Sequence, residues 1–179
     1  FLIVWIDGVW FEGIDRGLHA MVVGPRGNIL VPPHRLATGL SHARPAVAWT
    51  GDSYLVLSID MQIPRRIVAH QVDATGQLIS NSPAVVTQET SSFTFQPHSA
   101  VRIAASRDAA YACWETYTPR TAGLGYGLVR LDRSGVVQKQ LPLPTVNTES
   151  IAIDGSTVLL GQSRGGGCMY TACFGDLVR

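Results

Sequence analysis

The side chains able to do chemistry fall into four short stretches of the sequence, residues 7–16, 60–66, 115–125 and 163–167. Each holds arginine: Arg16, Arg65 with Arg66, Arg120 and Arg164. Three also hold a carboxylate, Asp7, Asp60 or Glu115. Gathered on one surface, an arginine and an acid from each stretch would make a polar ring. Left apart, they would be ordinary loop ion pairs, which stabilise little. Both readings stand at this stage. Trp10-Phe11 places two large aromatics inside a polar, glycine-bounded loop, where no strand face requires them. They are suited to stacking on a sugar or gripping a partner, and equally to packing over the end of the fold. Tyr117 has the same two readings. The candidate binding residues are therefore Trp10, Phe11, Arg16, Arg66, Tyr117, Arg120 and Arg164.

Catalytic signals are weaker. No Gly-x-Ser-x-Gly elbow, phosphate loop or closely spaced Cys-His arrangement occurs. Asp7, Asp60 and Glu115 would serve a glycan hydrolase or lyase only if two of them stood about 5–10 Å apart. We assign no catalytic residue and expect no cofactor. His42 and His98 lie 56 residues apart, a separation that recurs below, so they occupy equivalent places. Two such histidines side by side would suit a metal, but duplication explains the spacing alone, and no metal site is assigned. His34 belongs with them to the connecting loops, and His19 and His70 to strands. Residues 82–99, rich in Ser, Thr and Gln, read as a long contact loop or lid.

The bulk properties narrow the partners. The net charge is +1, and the Lys and Arg are scattered rather than gathered into the basic stripe of a nucleic-acid binder. No run of 18 apolar residues spans a membrane. Of 14 basic residues only Lys139 is lysine, which reads as a GC-rich, bacterial coding bias or as arginines enriched for anion recognition. Cys113, Cys168 and Cys173 are an odd count whose spacing fits no zinc site. Cys168 and Cys173, five apart, fall on opposite faces of one strand. The thiols read as buried and free, or as a Cys113 bridge between neighbouring units.

These residues need a scaffold, and the chain supplies one by repetition. The stretch 45–58, Pro-Ala-Val-Ala-Trp-Thr-Gly-Asp-Ser-Tyr-Leu-Val-Leu-Ser, recurs in pattern at 101–114 and at 149–162, offsets of 56 and 104. Each copy is a strand, a turn and a strand. Trp5, Ser58 and Trp114 fall in register. A second half-pattern, strand then Asp/Gly-x-x-Gly turn then short apolar strand, runs from 18 to 30, 67 to 79 and 127 to 137. Gly27, Gly76 and Gly135 take the turn position that needs positive φ. With four strands per unit, labelled a to d, the chain reads b-c-d, a-b-c-d, a-b-c-d, a-b-c. Short strands without helical periodicity predict an all-β fold. Repeats of about 50 residues with four strands predict a β-propeller of four-stranded antiparallel blades, about three and a half of them, with a sandwich as the alternative. The expected boundaries are 1–44 (lacking its first strand), 45–98, 99–148 and 149–179 (lacking its last). Tyr54-Leu-Val-Leu-Ser is nearly all apolar, as in a strand packed on both faces, and Trp5, Trp49 and Trp114 read as core between blades.

The phrases Phe1-Leu-Ile-Val-Trp-Ile-Asp7, Ala69-His-Gln-Val-Asp-Ala-Thr-Gly-Gln-Leu78 and Pro45-Ala-Val-Ala-Trp-Thr-Gly51 together resemble the blade repeat of bacterial extracellular β-propellers. The chain resembles neither the WD40 type nor the sialidase type, whose signature boxes it lacks. The resemblance implies a propeller and an extracellular or cell-envelope location, and no particular activity. The resulting expectation is a non-catalytic module that binds a protein or glycan through its b–c loops. The alternatives are a glycan-active hydrolase or lyase and a structural subunit of a larger assembly. A chain that opens in mid-strand with half-units at both ends is expected to be completed by upstream residues or by a second copy.

Overall fold

The computed structural model describes residues 1–7, 16–40, 43–90, 94–95, 100–118, 123–141, 148–154, 157–162 and 173–174, with only the backbone at 118, 123, 124, 148, 149, 162, 173 and 174. The fold is all-β. The first sheet contains β1 (Leu2–Ile6), β2 (Gly17–Val23) and β3 (Ile29–Thr38). The second contains β4 (Ala46–Trp49), β5 (Tyr54–Asp60), β6 (Arg66–Val72) and β7 (Ala84–Gln88). The third is β8 (Val101–Ala105), β9 (Ala110–Thr118), β10 (Gly123–Leu131) and β11 (Val137–Leu141). The fourth is β12 (Thr148–Asp154), β13 (Thr157–Gln162) and β14 (Cys173–Phe174). Every pairing is antiparallel between consecutive strands. There are thus four sheets packed in series, rather than the two facing sheets of a sandwich. Among the described residues no helix is long and apolar enough to cross a membrane.

The alternation of the strands explains the stacking, because each strand sends successive side chains to opposite faces. From β5, Leu55, Leu57 and Ile59 join Ala110, Ala112 and Trp114 of β9 in one core between the second and third sheets. Val56, from the opposite face of β5, joins Leu2, Leu18, Ala20 and Leu36 between the first and second. Tyr111 and Cys113, from the opposite face of β9, join Val158 and Leu160 of β13. The second sheet is therefore covered on both sides, and β5 is buried from Leu55 to Asp60. Each of its fully buried aliphatic side chains contributes roughly 1.5–3 kcal/mol. The first strands form the line of closest approach, β4 against β8 and β8 against β12.

The c–d turns carry the expected glycines. Gly27, Gly76 and Gly135 have φ of 79°, 84° and 87°, and their N–H groups donate to the carbonyls of Gly24, Asp73 and Asp132. At Gly76 and Gly135 the need is double. A Cβ on Gly76 would stand 2.9 Å from Val22 of the first sheet, and one on Gly135 would stand 2.5 Å from Ala69 of the second. Asp73 and Asp132 brace the later two turns: each Oδ1 accepts from a hydroxyl at 2.7 Å and from two backbone N–H groups. These bonds hold the Asp73 carboxyl below its ordinary pKa, and at Asp132 they outweigh the upward push of burial.

Several expectations change. The residues after the Gly76 turn make only an isolated bridge, Leu78 to Val72. The fourth strand of that sheet is β7, inside the stretch read as a lid. Ser80-Asn-Ser-Pro83 interrupts extension near the turn, and the β-branched run in Ala84–Gln88 resumes it. The described part beyond is tied down: Glu89 accepts from Phe95 N at 2.8 Å, Arg65 donates to Phe95 O at 3.0 Å, and Phe95 is buried. His34 lies on β3 rather than in a loop, with Nε2 2.7 Å from the carbonyl oxygen of Gly76, linking the first two sheets. Trp114 is core, but Trp49 is 43% exposed against Tyr54, and Trp5 is half-buried and stacked on His19. Cys113 is a buried free thiol whose pKa burial pushes up to about 12. Cys168 and the Cys173 side chain lie outside the described residues.

Candidate functional site

Polar chemistry concentrates on one face of the second sheet. In the β5–β6 register Val56 opposes His70, Ser58 opposes Val68, and Asp60 opposes Arg66. All six project toward the first sheet, because they alternate with the apolar residues that face the third. Apolar pairs would serve that interface. Instead the stripe ends in a carboxylate, a guanidinium and an imidazole.

Where β3 draws past this stripe, the two sheets leave an open recess of about 410 Å³. Asp60, Gln62, Arg66, His70 and Asn81 supply its polar wall, and Leu36, Leu40, Val68 and Leu78 its apolar wall. Arg66 Nη2 pairs closely with Asp60 Oδ2 and donates to Gln62 Oε1 at 2.7 Å. The other Asp60 oxygen accepts from Gln62 N at 2.9 Å. Arg66 Nε is buried and has no acceptor among the described residues. His70 Nε2 lies 3.3 Å from Ser58 Oγ. Burial lowers the His70 pKa against the upward pull of Asp60, so the ring is neutral near pH 7. A neutral imidazole, a braced guanidinium and two amides make a set of directional donors and acceptors with little net charge. The Ser58–His70 contact has the elements of a nucleophile and base, but Ser58 is buried and does not line the recess.

The residues singled out from sequence fall unevenly. Arg66 is in the recess, as the first residue of β6 rather than a loop residue, and Asp60 is the last residue of β5. Both positions follow from the strands pairing out to their ends, Asp60 opposite Arg66. Arg16 is half-buried just before β2. Tyr117 is likewise a strand residue, within β9, and its backbone exchanges two 2.8 Å hydrogen bonds with Thr94. Trp10, Phe11, Arg120 and Arg164 lie outside the described residues, as do His42 and His98. Among the described residues no group of three His, Cys, Asp or Glu could hold a metal ion.

The three carboxylates of the hydrolase reading each stand beside a basic side chain of their own sheet. Asp7 Oδ2 stands 2.9 Å from His19 Nε2, a close approach without hydrogen-bond alignment, and Asp7 Oδ1 accepts from Gly17 N at 3.0 Å. Asp60 is held by Arg66, and Glu115 lies 3.7 Å from Arg102 on the neighbouring strand.

Sequence reading missed Gln62, His70 and Asn81 as lining residues. The signal for His70 was present: polar residues at 58 and 60 on one strand, and at 66 and 70 on the other with Val68 between, fall on one face once the register is known. No protein-family model matches the chain, and no curated protein matches it.

Proposed function

We propose that this chain is an array of β-propeller blades of the bacterial extracellular repeat type, acting as a non-catalytic binding module in an extracellular or envelope setting. Its ligand is a glycan, held at the b–c end of the second blade. The observation that carries this reading is the recess between β3 and the β5–β6 face, where Asp60, Gln62, Arg66, His70 and Asn81 meet an apolar wall. Hydroxyl groups, which both donate and accept, match such a wall of amides, carboxylate and guanidinium. The free Arg66 Nε–H supplies a further donor. A protein partner fits less well, since specific protein interfaces bury about 800 Å² per partner over flat ground, and this wall is a small concavity. The blade reading is supported by the serial packing of the sheets and by the approach of their first strands along β4, β8 and β12.

The experiment is isothermal titration of the intact chain with neutral and uronate-containing oligosaccharides. Wild-type protein is expected to saturate with at least one of them. Arg66→Ala should weaken that binding by on the order of tenfold or more, as expected for loss of a charge-assisted hydrogen bond. Unchanged affinity in that variant defeats the placement.

The outer face of the first sheet supports the wider assembly. Phe1 and Ile3 are 75% and 41% exposed. In the repeat they stand on the face that Ser58 and Trp114 occupy in the second and third sheets, where it is covered. This face takes a further blade, from the same polypeptide or from a second copy. Native mass measurement of the intact protein, with and without Ile3→Glu, tests it: a second copy gives a dimer that the substitution dissociates.

A further inference from the structure

The recess between the first and second sheets has a counterpart one interface later. Between β7 of the second sheet and the β9–β10–β11 face of the third lies an open cavity of about 250 Å³, lined by Thr87, Trp114, Thr116, Tyr126, Gly127, Gln140 and neighbouring apolar residues. The two sites correspond by register. Ser58 opposite Val68 becomes Trp114 opposite Gly127, and Asp60 opposite Arg66 becomes Thr116 opposite Gly125. Each hollow lies where the last strand of one sheet meets the second and third strands of the next.

The chemistry has changed from charged to neutral. No carboxylate, guanidinium or ammonium lines the second cavity among the described residues. Thr87 comes from the face of β7 that meets the third sheet, because its partner Ile67 belongs to the core there. Thr116 shares the face of Trp114, and Gln140 that of Val129, its β11–β10 partner. On the face of Trp114 the wall therefore presents two hydroxyls and an amide around the indole, while Tyr126, opposite Glu115, belongs to the other face of β10. The indole lies against Gly127, so closely that a Cβ there would overlap the ring. Trp114 is 5% exposed, so the ring forms the floor of the cavity, and the threonine hydroxyls and the Gln140 amide form its polar wall.

We propose that this cavity is a second binding site, selective for a neutral, hydroxylated ring such as an uncharged pyranose. Such a ring combines an apolar face, which suits the floor of Trp114, Val129 and Leu141, with edge hydroxyls that exchange hydrogen bonds with Thr87, Thr116 and Gln140. A volume of about 250 Å³ is room for one small ring. The site stands on its own residues and does not require the first recess to be occupied. If both bind, a glycan reaching from one to the other gains avidity without new contacts.

The test is titration of the intact chain with the methyl glycosides of glucose, galactose and N-acetylglucosamine, with glucuronate as the charged control. At least one neutral glycoside should saturate. Gln140→Leu and Thr116→Val should each weaken it by on the order of tenfold, the loss of one directed hydrogen bond, while Lys139→Ala, at an exposed β11 position outside the lining, leaves it unchanged. Gln140 is exposed on β11, so the leucine variant keeps the test valid even if substitutions at Trp114 impair folding. Trp114→Phe, where it folds, should lose the ligand-dependent fluorescence change. No saturable binding of any neutral glycoside up to about 100 mM, a free energy too small for a specific site, overturns the proposal. So does neutral-glycoside binding that depends on Arg66 and not on Gln140, which would move the ligand to the first recess.

Discussion

The second and third sheets use the same register for opposite ends. On β5 and β6 the positions facing the preceding sheet hold Ser58, Asp60, Arg66 and His70; on β9 and β10 the corresponding positions hold Trp114, Thr116, Gly125 and Val129. In the second sheet a polar stripe pairs within itself, with Arg66 on Asp60 and Gln62 and His70 beside Ser58, and leaves Arg66 Nε without an acceptor among the described residues. In the third, one large ring fills the space, and glycine on the opposing strand makes room for it. The backbone therefore imposes only where a side chain points. A volume given up on one strand, Val to Gly, is taken by its partner, Ser to Trp. The comparison also shows why the hollows differ in chemistry although they share a place.

The largest way to break this comparison is at Trp114. Trp114→Ala should cost about 3–5 kcal/mol in urea unfolding, the range for truncating a core tryptophan, whereas Ser58→Ala at the matching position should cost about 1 kcal/mol, one buried hydrogen bond. Next comes the ion pair. Asp60→Ala leaves a mostly buried guanidinium without its carboxylate. We expect about 2 kcal/mol, below the roughly 3–5 of a fully buried pair, since Arg66 keeps part of its side chain in solvent. Thr116→Ala, its counterpart, should stay within about 0.5 kcal/mol.

The turns sharpen the contrast between shared backbone and divergent side chains. Gly76→Ala should cost about 2 kcal/mol, left-handed strain plus the approach to Val22, and Gly27→Ala about 1 kcal/mol, since nothing lies within 4 Å of its Cβ position. Equal losses at the two sites would mean that the packing against the first sheet contributes nothing. The smallest effect is a pH slope. His70 has a folded pKa below its ordinary 6.5, so the unfolded chain binds the proton more readily. Its contribution is intact above pH 6.5 and declines as pH falls below that value. Stability should therefore drop modestly on acidification through this window, facing Asp60 and Arg66, and His70→Gln should flatten the slope. Asp73 and Asp132, whose pKa values are lowered, act in a separate window: their support is present above about pH 3.8 and is lost on further acidification.

Much of the framework was legible before any coordinates. The glycines at 27, 76 and 135 reported three turns because positive φ restricts residue choice sharply. The apolar run from Tyr54 reported a strand covered on both faces. Less legible was where strands end. Asp60, Arg66, Glu115 and Tyr117 read as loop residues because polarity was taken as the boundary, whereas antiparallel pairing carries polar residues to the strand tips. β7 was missed for a related reason: Ser80-Asn-Ser-Pro83 resembles the start of a loop, and nothing local announces that Ala84-Val-Val-Thr-Gln will find Arg66–Ala69 as its partner. Trp49 was assigned to the core by residue type, while its place at the end of a four-residue edge strand leaves it half in solvent.

By itself, then, the sequence determined the fold class, the turn positions and the alternation of each strand, because these depend on local sterics and on a period of two. It did not determine which polar residues would meet. That Asp60 closes on Arg66, that His70 borders a hollow beside Leu36 and Leu40, and that the Trp114 indole is buried without an acceptor are results of register and of sheet stacking. Those contacts join residues from different strands and, for both hollows, from different sheets, so only the packed structure could place them together.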